Sequence, residues 1–360
     1  MDRKIGYLIE EFTRFGGGQV VFENVHSTMT NLFETVRVVT DKEHSLLPGG
    51  IKAENLVETS LLKPSWESPL KMLPKVFQLK KELKNLPQDV FVFNNHPNVF
   101  IYNATINFGH ELFGFMGEED SKFQRIVLSL IKNSRLYEEY RGSYFLTNGE
   151  FTSRHLKSTF AKLGVAGVKV QKLDLPVNLP QKIQYSDKTD TVLTFGRISR
   201  DKMLHRVIEI AKFAPGFKFI ISGRALEKEM GYVRELMSVM PENVSIVLNP
   251  DMKTKDHLFR SSKVYLHTKM SENYGISVAE AISYGCYPIV PLRSGAYEDI
   301  LENGKLGKGY LNNEEAAVYV QEAMNTSVGE LNFIFSTRNR FSKDYFVKNL
   351  VEKISQFLGS

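Results

Sequence analysis

Two α/β domains, each a parallel sheet with helices on its faces, are predicted by three features of the sequence. The first is length, since 360 residues exceed what a single ordinary hydrophobic core organises. The second is alternation: short apolar runs are followed throughout by longer stretches of helical periodicity, as in βαβ units. The third is a restart of that series after Leu175-Pro176-Val177-Asn178-Leu179-Pro180, a segment stiffened by its prolines.

In the first half, residues 5–9 read as a buried strand. A Gly16-Gly17-Gly18 turn and an amphipathic helix over 19–32 follow. Further strands are expected at 36–40, 90–94, 105–108, 143–147 and 169–172. The second series opens with a strand at 191–195, a helix over 202–213 and a strand at 218–222, and continues with strands at 244–248, 264–267 and 287–291. The division expected is a first domain over 1–176, a linker over 177–190 and a second domain over 191–341. The last helix, 342–358, is able to pack on either domain, a return onto the first being one option.

Composition narrows the function classes. Apolar content of 42% and charged content of 24% are those of a globular chain. A net charge of +5 suits a nucleotide diphosphate or an anionic membrane surface and is too weak to make nucleic acid an expected partner. The single cysteine, Cys286, excludes an internal disulfide and a multi-cysteine metal site, which points to a reducing compartment. No apolar run reaches transmembrane length. The opening MDRKIGYLIEEF reads as a first strand rather than a signal peptide, so a cytoplasmic protein is expected.

The second series carries the phosphate chemistry. Gly196 and Arg197 follow its first strand and Lys202 lies near the next helix start, at the carboxyl edge where parallel sheets bind ligands. A guanidinium, an ammonium and a helix N-terminus converging there favour a phosphate, although two solvated cations beside a helix cap would leave the same trace. Further on, Glu272 and Glu280 are separated by seven residues, with Gly275 between them and the helical pattern Ile276, Val278, Ala279, Ile282 after it. On one helix these acids would diverge, because eight steps overshoot two turns by roughly 80°. With Glu272 on the preceding loop, both face one ligand, and the amides of Gly275, Ile276 and Ser277 point at a diphosphate between them. A carboxylate accepting two vicinal hydroxyls is also the usual way to hold a ribose. Read blandly, both acids are ordinary helix-start carboxylates.

These residues resemble a known family. GRISRDK, then SENYGISVAEAISYGCYPIV and SGAYEDIL, resemble the family-4 retaining glycosyltransferases of GT-B architecture, in which two Rossmann-like domains face each other across a cleft. The family's Glu–seven residues–Glu signature matches at Glu272 and Glu280, and its phosphate-binding Arg and Lys match at Arg197 and Lys202. In the first half, FGGGQVVFENV resembles the glycine-rich first loop, where Gly17 and Gly18 would approach the donor. DVFVFNNH followed by ATINFGHE resembles a strand pair ending in a histidine beside the transferred sugar, which places His110 there, with His96 the weaker candidate.

The resemblance implies a hexosyltransferase of retaining stereochemistry with no obligatory metal or other cofactor. No Asp-x-Asp triplet is present to hold Mg²⁺. By the same resemblance His110, Glu272, Arg197 and Lys202 are the catalytic set, with Arg197 and Lys202 stabilising the departing diphosphate. Gly17, Gly18, Gly196, Gly275, Ile276, Ser277 and Glu280 complete the donor site, and Gly295 and Glu298 are further candidates for its lining. The wording of HTKMSENYGISVAEA and GGGQVVF leans toward the mannosyltransferases of lipid-linked oligosaccharide synthesis. The donor expected is therefore GDP-mannose, with a UDP-hexose as the alternative, and the acceptor a glycan or a lipid-linked one.

Two other readings stay open. A non-catalytic nucleotide-sugar-binding protein on the same fold would keep Arg197, Lys202 and Glu280 but lose the counterparts of His110 or Glu272. All five are present, which favours an enzyme. The basic amphipathic stretches at 68–87 and 125–136 fit peripheral contact with the cytosolic face of an anionic membrane. They fit the solvated face of an ordinary Rossmann helix slightly better.

Overall fold

The computed structural model describes residues 5–10, 17–41, 51–59, 90–95, 104–109, 129 and 140–358. Two compact units divide the chain, Met1–Pro176 with Lys343–Ser360, and Val177–Ser342. His96, His110, Gly16 and nearly all of the two basic amphipathic stretches lie outside the described residues.

In unit 1, β1 (Ile5–Ile9), α1 (Gly17–Leu32), β2 (Thr35–Asp41), β3 (Leu56–Thr59), β4 (Phe91–Asn94), β5 (Ile106–Gly109), β6 (Tyr144–Thr147), α2 (Glu150–Leu163) and β7 (Lys169–Lys172) follow one another. The strands form a parallel sheet in the order β3-β2-β1-β4-β5-β6-β7. Its central strands are covered on both faces, with Leu8, Ile9, Val38, Phe91, Phe93 and Ile106 all buried, as parallel pairing requires. The expected turn at Gly17 and Gly18 is already helix, because α1 begins at Gly17. Burial of Val21, Phe22, Val25 and Met29 on one helical face stabilises α1 enough to carry it through the glycines.

Unit 2 contains β8 (Thr189–Phe195), α3 (His205–Phe213), β9 (Lys218–Gly223), α4 (Met230–Val239), β10 (Val244–Leu248), α5 (Met252–Ser261), β11 (Ser262–Leu266), α6 (Ile276–Ser283), β12 (Tyr287–Pro291), β13 (Lys308–Tyr310), α7 (Asn313–Met324) and α8 (Val328–Ser336). Its parallel sheet runs β10-β9-β8-β11-β12-β13. In both units the chain therefore winds outward on one side and crosses back to wind outward on the other. The direction reverses between β1 and β4 in unit 1 and between β8 and β11 in unit 2, where a doubly wound sheet opens a crevice at its carboxyl edge.

α9 (Lys343–Leu358) belongs to unit 1. Phe346, Leu350 and Ile354 bury one face of it, Phe357 meets Tyr144 edge-on at 4.6 Å, and the Lys353 ammonium donates to Gln171 Oε1 at 2.8 Å.

Residues 177–188, expected as part of a linker, are counted with unit 2, and β8 begins at Thr189. Their anchor is Lys188, whose Nζ donates to the carbonyls of Phe259 at 3.0 Å and Ser262 at 2.8 Å and lies 3.4 Å from Cys286 Sγ. Burial lowers the pKa of this ammonium and pushes the Cys286 thiol up. The helix expected over 202–213 is a 3-10 turn, Arg200–Lys202, followed by α3. Met203 separates the two in a left-handed conformation with φ of 53°.

Caps behave as local chemistry dictates. Asp251 accepts the Thr254 amide at 2.7 Å and starts α5. Asp251→Ala is expected to lower stability by about 1 kcal/mol. Thermal melting would show it, and an unchanged midpoint would remove the cap from the account.

Candidate active site

The reversal point of unit 2 gathers the loops that leave β8 and β11. Gly196 directly follows β8 and donates its amide to Ser222 O at 3.0 Å. A Cβ on Gly196 would meet nothing within 4 Å, so the turn has open space beside it. Gly223 packs behind it so closely that a Cβ there would lie 1.5 Å from the Gly196 oxygen. The next residues bend back through the 3-10 turn. Thr268, on the loop after β11, locks that turn by donating to Lys202 O at 2.8 Å.

This lock brings Lys202 to Glu272, Nζ to Oε2, at 2.7 Å. The same carboxylate lies 3.4 Å from His267 Nε2 and 3.9 Å from Lys269 Nζ. Burial alone would raise the Glu272 carboxyl, but Lys202, His267 and Lys269 outweigh it and hold the group well below the usual carboxylate range. Burial lowers the His267 pKa, which favours a neutral imidazole.

Asp201 extends the cluster. It accepts from Ser199 Oγ at 2.5 Å and pairs with Arg197 at 3.0 Å. Burial raises its carboxyl, and Ser199, Arg197, Lys202 and Lys269 more than offset this, leaving it lowered. The Arg197 side chain is 43% exposed.

Glu272 sits on the loop before α6, and Glu280 lies in the second turn of that helix. Gly275 caps α6 with φ of 94°, a conformation that glycine adopts without a Cβ penalty. A Cβ at Gly275 would come within 3.1 Å of Ala296 Cβ. The loop is pinned further by the Gly295 amide, which donates to Glu272 O at 2.8 Å. The first amides of α6, at Ile276 and Ser277, belong to a helix end whose N–H groups lack intrahelical acceptors.

Glu280 pairs with Lys255 of α5 at 2.6 Å, and that ammonium lies 5.2 Å from the Phe195 ring centroid. Tyr265 sits between the two acids. Its hydroxyl donates to Phe195 O at 2.9 Å beside the Ser277 side chain, and both Glu280 and Glu272 act on it electrostatically.

Of the residues singled out by sequence, Lys202 and Glu272 thus meet directly, and Gly275 lies on the same loop as Glu272, at the start of α6. Arg197 and Lys202 share Asp201 as a neighbour, and Glu280 is held separately by Lys255. Gly17 and Gly18 open α1 in unit 1. His267, Lys269, Asp201 and Lys255 were not singled out. The first two stand in the quoted run HTKMSE and Asp201 in GRISRDK, so a closer look at acid–base pairs there would have found them. Lys255 carries no such signal.

Unit 1 has a polar cluster at its own reversal point that sequence reasoning also passed over. Asn95 Nδ2 donates to Glu10 Oε2, and Asn94 Nδ2 donates to Asn107 Oδ1 at 2.9 Å, all four residues being buried. Among the described residues, no group of three or more His, Cys, Asp and Glu side chains could hold a metal ion, and no helix is long and apolar enough to cross a membrane.

Residues 178–343 match the family described as glycosyl transferases group 1. No curated protein sequence matches the chain. Among solved structures, the chain is similar to HepE of Anabaena, crystallised with UDP and glucose, at a TM-score of 0.67 and 14% identity, covering 98% of this chain and 100% of that one. Sucrose-phosphate synthase from Thermosynechococcus elongatus is similar at a TM-score of 0.72 and 12% identity over 99% of this chain and 100% of that one. WaaG, a glycosyltransferase involved in lipopolysaccharide biosynthesis, gives a TM-score of 0.64 at 15% identity over 94% and 95%. The fold is that of the GT-B glycosyltransferases, two parallel-sheet Rossmann-like domains.

Proposed function

We propose that this chain, a glycosyltransferase by its group 1 domain, moves a hexose from a nucleoside diphosphate donor to a glycan or lipid-linked acceptor with retention of configuration. The observation that carries the reading is the Lys202–Glu272 pair, 2.7 Å apart at the reversal point of unit 2, beside the open space at Gly196 and the start of α6. A diphosphate resting there meets the Lys202 ammonium, the Arg197 guanidinium and helix amides, a set of fixed positive charges aimed at the leaving group. Glu272 then faces the sugar and Glu280 the ribose.

In the transfer, the C1–O bond to the diphosphate breaks first and leaves an oxocarbenium-like sugar. The acceptor oxygen forms its bond to C1 on the same face, and its proton passes to the departing phosphate oxygen. By the family resemblance, His110 would brace the developing charge. No protein nucleophile is required.

The wording of the sequence leans to GDP-mannose, whereas HepE was crystallised with UDP-glucose. Both donors therefore belong in one panel. A ligand at about one hundred times its dissociation constant should stabilise the protein by about 2.7 kcal/mol. Glu280→Ala should remove that shift by unseating the ribose. If no nucleotide or nucleotide sugar moves the melting curve, the donor-site reading falls.

A further inference from the structure

One buried polar group at the site has no role in the chemistry just described. The imidazole of His267 follows β11, is 5% exposed, and its Nε2 makes no well-formed hydrogen bond, the Glu272 carboxylate lying at the long distance of 3.4 Å. An orphaned buried polar group is costly enough that a native structure needs a reason for it. Its backbone has no freedom to turn away: the His267 amide donates to Ile289 O at 2.9 Å, and its carbonyl accepts from the buried Tyr310 hydroxyl at 2.8 Å. From this fixed backbone the ring places Nε2 3.4 Å from Glu272 Oε2, a distance that a small shift would shorten to a full hydrogen bond.

That oxygen is the same one the Lys202 ammonium occupies at 2.7 Å. The cation meant for a diphosphate is thus already paired with a carboxylate. A dianionic diphosphate arriving at the turn competes for the ammonium. A carboxylate that loses a close cation in a poorly solvated site must find another donor. His267 is the nearest, and Lys269 stands farther off at 3.9 Å on the other oxygen.

Resting on the donor-site reading above, we infer that His267 is a positioning residue for Glu272. When the diphosphate draws Lys202 away, the imidazole Nε2–H closes on the carboxylate and holds it in place for the sugar. The ion pair and the imidazole are then two alternative partners of one oxygen, exchanged on donor binding.

The exchange predicts a split between binding and turnover. A hydrogen bond to a charged group is worth enough that His267→Leu should lower the turnover of UDP-glucose or GDP-mannose, read as nucleotide release, by about 10- to 100-fold. The Kd for UDP or GDP should stay within about twofold, because Lys202 still meets the phosphates. His267→Gln should restore most of the rate, since its amide places an N–H near the position of Nε2.

A second readout needs no variant to fold perfectly. In the ¹⁵N-histidine-labelled wild-type protein, saturating UDP or GDP should move the His267 Nε2–H resonance downfield and slow its exchange with water, with His267→Leu supplying the assignment. An imidazole resonance unmoved while nucleotide binds, a leucine variant with undiminished turnover, or a glutamine variant as slow as leucine would each overturn the inference and leave the donor site standing. If neither UDP nor GDP binds the wild-type protein, the donor-site reading itself fails and takes this inference with it.

Discussion

Lys202→Met is expected to reduce kcat/KM by about 10²- to 10³-fold, the usual loss when one preorganised charge is removed from a developing anion. Methionine keeps much of the stem's packing and deletes the ammonium, so the loss reports charge rather than a cavity. The variant also leaves Glu272 with only Lys269 and His267 nearby.

That gives the substitution a pH signature in stability. The wild-type Glu272 carboxyl is held well below its ordinary value, so its contribution is fully present above the unfolded value near 4.5. It is lost as pH falls through the lower folded value. Removing Lys202 lessens the depression, so the variant should be destabilised most near neutrality, and the gap in melting temperature should narrow below the unfolded value. Full activity in Lys202→Met, or a gap that widens in acid, would contradict the role given to this pair.

Gly223→Ala should produce the largest loss of stability. The new Cβ would fall 1.5 Å from Gly196 O and 2.6 Å from Gly196 C, and both are backbone atoms that no rotamer change can move aside. Gly223 also has φ of 150°, a conformation that L side chains rarely adopt. Overpacking and backbone strain together are expected to cost about 3 kcal/mol or more. For a unit of this size that lowers the melting temperature by roughly 6–12 °C. The control is Gly196→Ala on the other side of the same contact. Its Cβ meets nothing within 4 Å, so the fold should hold while the methyl group enters the open space proposed for the diphosphate. Equal melting temperatures for the two variants would refute the close approach that shapes this turn.

Much of the fold was legible before any coordinates. The strands expected at 5–9, 169–172, 244–248 and 287–291 coincide with β1, β7, β10 and β12. β1, β10 and β12 are short, mainly apolar runs, and nothing nonlocal is needed to see them; β7 is Lys-Val-Gln-Lys, a partly exposed strand with a single apolar residue. β3 and β13 escaped because they are short edge strands. Leu56, Val57 and Glu58 are not buried, and Lys308–Tyr310 has three residues, so neither shows an apolar run. The helix start near Lys202 was misplaced because the 3-10 turn Arg200–Lys202 runs almost directly into α3 with no glycine or proline between them. Only the left-handed Met203 divides them, and a methionine announces no such bend.

Composition and periodicity were enough to establish two α/β halves and the restart between them, and to pick out a glycine–arginine turn followed by a carboxylate–glycine–carboxylate run. Those features are local, written in neighbours a few residues apart. Folding decided the partners. Lys202 finds Glu272 across 70 residues and Lys255 finds Glu280 across 25, while His267 is left aimed at an oxygen already taken. The Lys202–Glu272 pairing depends on β8 and β11 lying side by side at the reversal of the sheet, a neighbourhood that strand order creates and residue spacing does not record.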